Sequence, residues 1–455
     1  MEGEDKLAPV PGMGAWQLLG ITFFSACGGP FGFEECVGAG GGQAALLGTV
    51  LMPLVWSVPL ALMTAELSCM IPESGGHIVW VERALGPYWG FMNGILSFGT
   101  NCFDNALYPV MFTDYLEGAL WPYIRHEFPF AVNLVLRLAV IALTVVLNFR
   151  GADLVGNASV LFACTVLAPF ILMVIMGIRP LLVDWDGIPG TREDEDTEHD
   201  WGSFFAVLLW NTAGFDNAGS CAAEVEDPGD AYPKALSGSI LLVMVTYAAP
   251  TLIGIYYVPD AEDWEDGAFA DVGAEVGGPW LRLALGLAGV MSSVGLLSTL
   301  MLTSSRMLAA MAATRTAPAV VALSHSVYQT PWVAILINAV ITCVLIMLPF
   351  SKLAEVDMLF YCVSTVLKFI ALLKLRSTDP DAPRPYKIPL SDPMLASFSM
   401  IPCGLCVASL FLFHRFSIIT GVATVIVSSF AYVIRNKYWP DGPTQPATMS
   451  ALPEK

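Results

Sequence analysis

Three stretches of this chain place polar, charged and helix-breaking residues in the middle of apolar sequence. The first is Ser25-Ala26-Cys27-Gly28-Gly29-Pro30-Phe31-Gly32-Phe33-Glu34-Glu35. Gly28, Gly29, Pro30 and Gly32 cannot together propagate a regular helix. The second is Asn211-Thr212-Ala213-Gly214-Phe215-Asp216-Asn217-Ala218-Gly219. A helix broken at these points presents free N–H groups at one half-helix end, suited to a carboxylate, and free carbonyls at the other, suited to an ammonium. Glu34 and Asp216 beside the breaks add full negative charge. An α-amino acid needs both kinds of end. A polyamine has no carboxylate and needs further acids or aromatic faces.

The third stretch carries Asn93, Ser97, Thr100, Asn101, Asp104, Asn105 and Tyr108, which fall within an arc of roughly 140° on a helix and so face a bundle interior. An intramembrane Asp is costly and makes Asp104 a functional candidate, with a structural role at a neighbouring break as the alternative. Ser292, Thr299 and Thr303 form a milder stripe near Gly295, where small residues also permit close helix packing. Lys368 stands in Val363-Ser364-Thr365-Val366-Leu367-Lys368-Phe369. Deep in a membrane it needs Glu34, Asp104 or Asp216 as partner; near the cytoplasmic end it snorkels, which is the expectation. Arg137 is read in the same way. The breaks, Asp104 and Lys368 are the candidates for substrate binding, proton coupling and charge tuning.

Other chemistry is not visible. His77, His126, His199, His325 and His414 are scattered and mostly in loops, and Cys403 and Cys406 form a CxxC without a second pair, so no metal site is expected. There is no P-loop, dinucleotide fingerprint or nucleophile elbow. No cofactor, no ATP use, no catalytic constellation and no nucleic-acid partner is expected. The sequon at Asn157 is expected to be unused.

The elements that must hold these residues are membrane helices. Hydrophobic residues are 55 % of the 455 and charged residues 13 %, too little charge for a soluble protein of this length. The apolar residues come in blocks of about 20, enough to cross a ~30 Å hydrocarbon core. Spans are expected at 16–38, 43–66, 87–118, 130–148, 155–178, 203–224, 236–258, 279–311, 331–350, 356–375, 391–412 and 416–434, giving an all-α integral membrane protein of about twelve helices. No cleavable signal peptide is expected. With the N-terminus inside, 13 of the 21 Lys and Arg residues fall in inside segments, so both termini are read as cytoplasmic. The loops after spans 5 and 7 hold 15 of the 40 acids. They are either solvated loops or a funnel that concentrates cations.

The two broken spans are five apart, which points to an inverted repeat of two five-helix halves with the site at the breaks. The chain divides into a tail (1–15), a first repeat (16–178), an acidic outer loop (179–202), a second repeat (203–375), two further helices (391–434) and a second tail (435–455).

Several of these motifs resemble a known family. Cys27-Gly28-Gly29-Pro30-Phe31-Gly32, Trp56-Ser57-Val58-Pro59, Thr64-Ala65-Glu66-Leu67 and Pro72-Glu73-Ser74-Gly75-Gly76 look like the amino acid–polyamine–organocation superfamily. Leu85-Gly86-Pro87-Tyr88-Trp89-Gly90-Phe91 and Asp104-Asn105-Ala106-Leu107-Tyr108-Pro109-Val110 resemble its polyamine-uptake branch of plants, algae and trypanosomatids. Trp210-Asn211, Ala223-Glu224-Val225-Glu226-Asp227-Pro228, Thr330-Pro331-Trp332-Val333-Ala334 and Arg384-Pro385-Tyr386-Lys387-Ile388-Pro389 extend the likeness along nearly the whole chain.

The resemblance implies a LeuT-like core of ten helices plus two more, alternating access and proton-driven import. It implies that Gly28, Gly29, Gly32, Glu34, Asp104, Tyr108, Asn211 and Asp216 line the site, with Phe215 and Ser292 as further candidates. The sequence departs from the polyamine pattern at Lys368, where members often have Glu, and at Phe215, where they tend to have Trp or Tyr. A lysine there could occupy the place of one substrate ammonium. The readings open at this point are a proton-coupled polyamine importer at the plasma membrane, a permease or exchanger of cationic or neutral amino acids, and a non-transporting nutrient receptor. Long regulatory tails would favour the receptor, and the tails are short.

Overall fold

The computed structural model describes residues 13–438 except 74–75, 125–127, 151, 184–189, 191–198, 266, 314–315, 326 and 329. The tail 1–12, residues 439–455 and most of the acidic stretch 184–198 therefore lie outside the described residues. Among the described residues the chain is helical, with a single isolated bridge, Met13 to Val225, in place of any strand.

In chain order the α-helices are α1 (Ala15–Ala26), α2 (Glu34–Gly40), α3 (Gly42–Met52), α4 (Val58–Met70), α5 (Gly76–Leu85), α6 (Pro87–Ile124), α7 (Phe130–Arg150) and α8 (Ala152–Val183). They continue with α9 (Trp201–Asn211), α10 (Pro228–Tyr257), α11 (Ala268–Gly277), α12 (Pro279–Ala313), α13 (Trp332–Leu345), α14 (Phe350–Thr378), α15 (Asp392–Leu412) and α16 (Arg415–Tyr438). A π-turn at Pro53–Ser57 joins α3 to α4, and a 3₁₀ segment at Phe215–Glu224 follows α9.

Among the described residues, eight helical stretches are long and apolar enough to cross a membrane. The remaining expected spans fall short for identifiable reasons. The first is cut into α1 and α2 at the glycines, and the sixth into α9 and its 3₁₀ continuation. α6 has 38 residues, and its polar stripe lowers its hydropathy. α13 is apolar but only 14 residues long. Helices α5 and α11, of 10 residues each, occupy stretches read from the sequence as loops.

Helix packing inside a bilayer gains little from the hydrophobic effect and depends on close approach and interhelical hydrogen bonds. Both are present. A methyl group on Gly286 of α12 would lie 2.4 Å from the Ala119 Cβ of α6, so the two helices meet there nearly backbone to backbone. Asn105 donates to Ser304 Oγ at 3.1 Å, and Asn148 to the Ser298 carbonyl at 3.1 Å.

One buried ion pair fixes the segment after α14. The Arg376 guanidinium grips Glu66 of α4 with Nε to Oε1 at 2.7 Å and Nη2 to Oε2 at 2.5 Å. Ile388 N donates to the same carboxylate at 2.9 Å, and Arg376 also reaches the Ile388 and Leu390 carbonyls. A fork-shaped donor on a planar carboxylate is held in both position and orientation.

Candidate functional site

The first break opens where α1 ends at Ala26. Gly29 (φ 118°) and Gly32 (φ 76°) then take backbone angles that residues with a Cβ avoid. Backbone groups freed here find side-chain partners, as a non-helical segment at membrane depth requires. Ser292 Oγ donates to the Gly28 carbonyl at 2.6 Å, Asn211 Nδ2 to the Gly32 carbonyl at 3.3 Å, and Gly32 N to Tyr115 Oη at 2.9 Å. The second break has the same logic. Ser57 Oγ donates to the Thr212 carbonyl at 2.7 Å, and Gly214 N (φ 88°) to Tyr361 Oη at 3.3 Å.

Between the breaks lies a cavity of about 100 Å³, walled by α1, α6, α9, α12 and α14. Asp104, Asp216 and Asp357 reach it. Asp104 accepts from Tyr108 Oη at 3.0 Å and from Trp210 Nε1 at 3.1 Å, both on Oδ1. Asp357 is 1 % exposed, and its Oδ1 has no hydrogen-bond partner. Among the described residues neither acid forms an ion pair. Asp216 does: Lys368 Nζ stands 2.5 Å from its Oδ2, while Tyr361 Oη donates to Oδ1 at 2.5 Å. Below that pair, His77 meets Ser97 at 3.0 Å, Ser97 meets Ser364 at 3.4 Å, and Ser364 donates to Asn93 at 2.7 Å.

Of the residues singled out from the sequence, Gly28, Gly29, Asp104, Tyr108, Asn211, Asp216 and Lys368 line this cavity. Gly32, Glu34, Phe215 and Ser292 stand behind it. Glu34 is fully buried in the first turn of α2, accepting from Tyr115 Oη at 2.8 Å, with Oε2 unpartnered. Phe215 is fully buried in the packing, and Ser292 braces the first break. Thr299 and Thr303 bond carbonyls of their own helix.

One expectation is corrected. Lys368 does not snorkel: it is 1 % exposed and turned inward onto Asp216, because a carboxylate within reach holds the ammonium more firmly than a distant headgroup region could. Arg137 is partly exposed, on the wall of a second, wider depression, and is held there by neighbouring helices. Its Nε donates to Thr113 at 3.0 Å and its Nη1 to the Ile346 carbonyl at 2.9 Å, with Asp114 at 3.7 Å.

Asp357, His77, Trp210 and Tyr361 line the cavity and are not among the candidates drawn from the sequence. Asp357 is legible as an acid within an expected span, the type of residue that is functional by default. His77 gives no such signal, since it lies in α5, outside every expected span.

The second depression, of about 1050 Å³, is lined by Glu35, Asp114, Glu117, Asp200, Asp263, Glu265 and Asp271. Asp271 pairs with Arg282. Of the acids in the loop before α9, Asp184, Asp186, Glu193, Asp194, Glu195, Asp196 and Glu198 lie outside the described residues.

Known proteins are similar to this chain along most of its length. A family model described as amino acid permease matches residues 14–435. A probable polyamine transporter of Arabidopsis thaliana is 35 % identical over 455 residues, covering 96 % of this chain and 91 % of the relative. Polyamine transporter RMV1 of the same plant is 37 % identical over 418 residues, covering 92 % and 82 %. The glutamate/serine transporter AimA of Bacillus subtilis is 24 % identical over 438 residues, covering 91 % and 79 %. With the family model matched over residues 14–435 and relatives of 35 % and 37 % identity covering more than nine-tenths of it, this chain belongs to the amino acid permease family of the amino acid–polyamine–organocation superfamily.

Proposed function

We propose that this chain is a secondary active transporter that imports polyamines such as putrescine and spermidine by alternating access. The observation that carries the reading is the pair Asp104 and Asp357, two carboxylates on the cavity that have no cation partner among the described residues. An ammonium group supplies what they lack, and Trp210 and Tyr108 supply aromatic surface around it. The similarity to polyamine transporters supports the same substrate class. The acidic depression beyond the break favours cation entry by raising local concentration, within the ~8 Å range of screening.

The architecture that goes with this reading has twelve spans, in a LeuT-like core of two inverted five-helix repeats (16–178 and 203–375) followed by α15 and α16. Both termini are cytoplasmic and the membrane is the plasma membrane. Import is driven by a proton gradient. Asp216 is held by Lys368, and Asp104 faces the substrate, so Glu34, off the cavity with a free oxygen, is the acid to which the coupling proton is assigned.

The amino acid reading has one observation in its favour: Gly28 and Gly29 line the cavity beside Lys368, an arrangement of backbone amides and a cation that could meet a carboxylate. Lys368 is already neutralised, however, and a carboxylate in the cavity would face Asp104 and Asp357. The test is uptake of radiolabelled putrescine or spermidine into proteoliposomes under an imposed pH gradient, with arginine and leucine as competitors. Saturable polyamine uptake that collapses with the gradient supports the proposal. Uptake of an amino acid and of no polyamine in the same vesicles overturns it.

A further inference from the structure

The cavity already holds one alkylammonium, and it belongs to the protein. Lys368 Nζ sits 2.5 Å from Asp216 and 4.7 Å from the centroid of the Tyr361 ring, and both charged partners are 1 % exposed. A carboxylate on one side and an aromatic face on the other is the set of contacts that holds an amine ligand. The lysine stem is a four-carbon chain, so its end occupies this place as the end of a diamine would. Tyr361 Oη completes the arrangement by donating to the other Asp216 oxygen.

A count of charges then follows. With Asp216 matched by Lys368, the cavity carboxylates left without a cation among the described residues are Asp104 and Asp357, which balance two positive charges and not three. A further ammonium, taken out of water into this enclosed site, would find no free carboxylate, and an unpaired buried charge is costly.

We infer that Lys368 is a tethered third ammonium, which makes the site select diamines over triamines. The inference rests on the polyamine reading above and narrows it to a substrate class. A simple structural pair between α14 and the 3₁₀ segment would have no such consequence.

The test is competitive uptake of putrescine and spermidine by the full chain and by Lys368→Met, Asp216→Asn and the double variant, in proteoliposomes under an inward pH gradient. The unaltered protein favours putrescine. Lys368→Met leaves three unmatched carboxylates and shifts the specificity ratio toward spermidine by about tenfold. Adding Asp216→Asn abolishes that gain, and Asp216→Asn alone, with its lysine unmatched, weakens diamine uptake most. An unmoved ratio in Lys368→Met, or a gain that survives in the double variant, overturns the inference.

If Lys368→Met proves too unstable to reconstitute, because Asp216 is left unpaired, the readout is rescue. Spermidine, and not putrescine, then raises its melting temperature in detergent; equal effects, or none, overturn the inference. The two proposals fail separately. An unaltered protein that carries no polyamine sinks the importer, whereas one that carries both, with a ratio indifferent to Lys368, sinks only the tethered ammonium.

Discussion

Asn211, the last residue of α9, donates from Nδ2 to the Gly32 carbonyl at 3.3 Å, so the side chain that closes one broken helix satisfies the backbone of the other. The same amide nitrogen bonds the Val207 carbonyl of its own helix at 2.9 Å. The two breaks are thereby tied to each other directly. In an alternating-access cycle this tie makes them move together. Asn211→Ala leaves the Gly32 carbonyl without this donor, a loss of roughly 1–3 kcal/mol at a buried site. The expected outcome is uptake slowed about tenfold or more with the protein still folded, measured as initial rates in proteoliposomes beside a melting curve. Wild-type rates would show that the breaks are not coupled through this bond.

Gly214, in the second break, lies against the end of α1. It has φ 88°, and a Cβ there would fall 2.9 Å from the Ser25 carbonyl oxygen. That neighbour is backbone and cannot swing aside. Gly214→Ala therefore combines a left-handed penalty of about 1–2 kcal/mol with a clash that pushes α1 away from the second break. A Cβ on Gly20, in α1, would meet nothing within 4 Å, and Gly20→Ala is the matched control. Transport is expected to be lost in the first variant and kept in the second. Equal activity of the two would remove the argument for a tight contact at Gly214.

The contrast between what is legible in the sequence and what is not follows from range. The breaks at Gly28–Gly32 and Gly214 can be read because glycine and proline act on their own few residues, and the α6 stripe because helical periodicity is local. The partner of Lys368 cannot, since Asp216 lies 152 residues away and three acids are equally eligible. Snorkelling is the natural expectation because proximity to a span end is visible in sequence and a carboxylate across the bundle is not. Glu34 and Asp216 look alike as acids beside glycine breaks. Only packing separates them, with Tyr115 covering Glu34 and the cavity reaching Asp216. Asp357 carries a readable signal but no neighbour that marks it out. It lies near the start of α14, two residues beyond Glu355, whose partners are His414 and Ser417.

Asp357 offers a direct test of the site. It is fully enclosed, has an oxygen without a partner and lines the cavity with Asp104. If both acids bind ammonium, Asp357→Asn and Asp104→Asn each remove one charge from the substrate's environment. Hydrogen bonds to charged groups contribute about 1.5–3 kcal/mol, so KM for a diamine should rise about tenfold or more in either variant, with a smaller effect on a monoamine competitor. Asp104→Asn also disturbs Tyr108 and Trp210, which both donate to its Oδ1. Asp357→Asn is the cleaner variant for that reason. An unchanged KM in Asp357→Asn would place the amine elsewhere.

Glu66 and Arg376 lie 310 residues apart in sequence and meet as a two-pronged pair, with side chains 0 % and 2 % exposed. The pair joins α4 to the end of α14 and holds Ile388 through its backbone N–H. Removing Arg376 leaves Glu66 enclosed with only Arg384, whose Nε stands 3.5 Å from Oε1, so the cost falls below the about 3–5 kcal/mol of a buried charge left with no partner. Arg376→Ala should still lower the melting temperature in detergent. Arg376→Lys should fall between, because a lysine can reach the carboxylate but cannot make both bonds or serve the Ile388 and Leu390 carbonyls as well. Glu66→Gln keeps the shape and loses the charge, leaving Arg376 with Asp392 at 3.3 Å as its remaining acid. The expected order of stability is wild type, Arg376→Lys, then Arg376→Ala. A lysine variant as stable as wild type would mean that charge alone, and not the fork, holds α14 to α4.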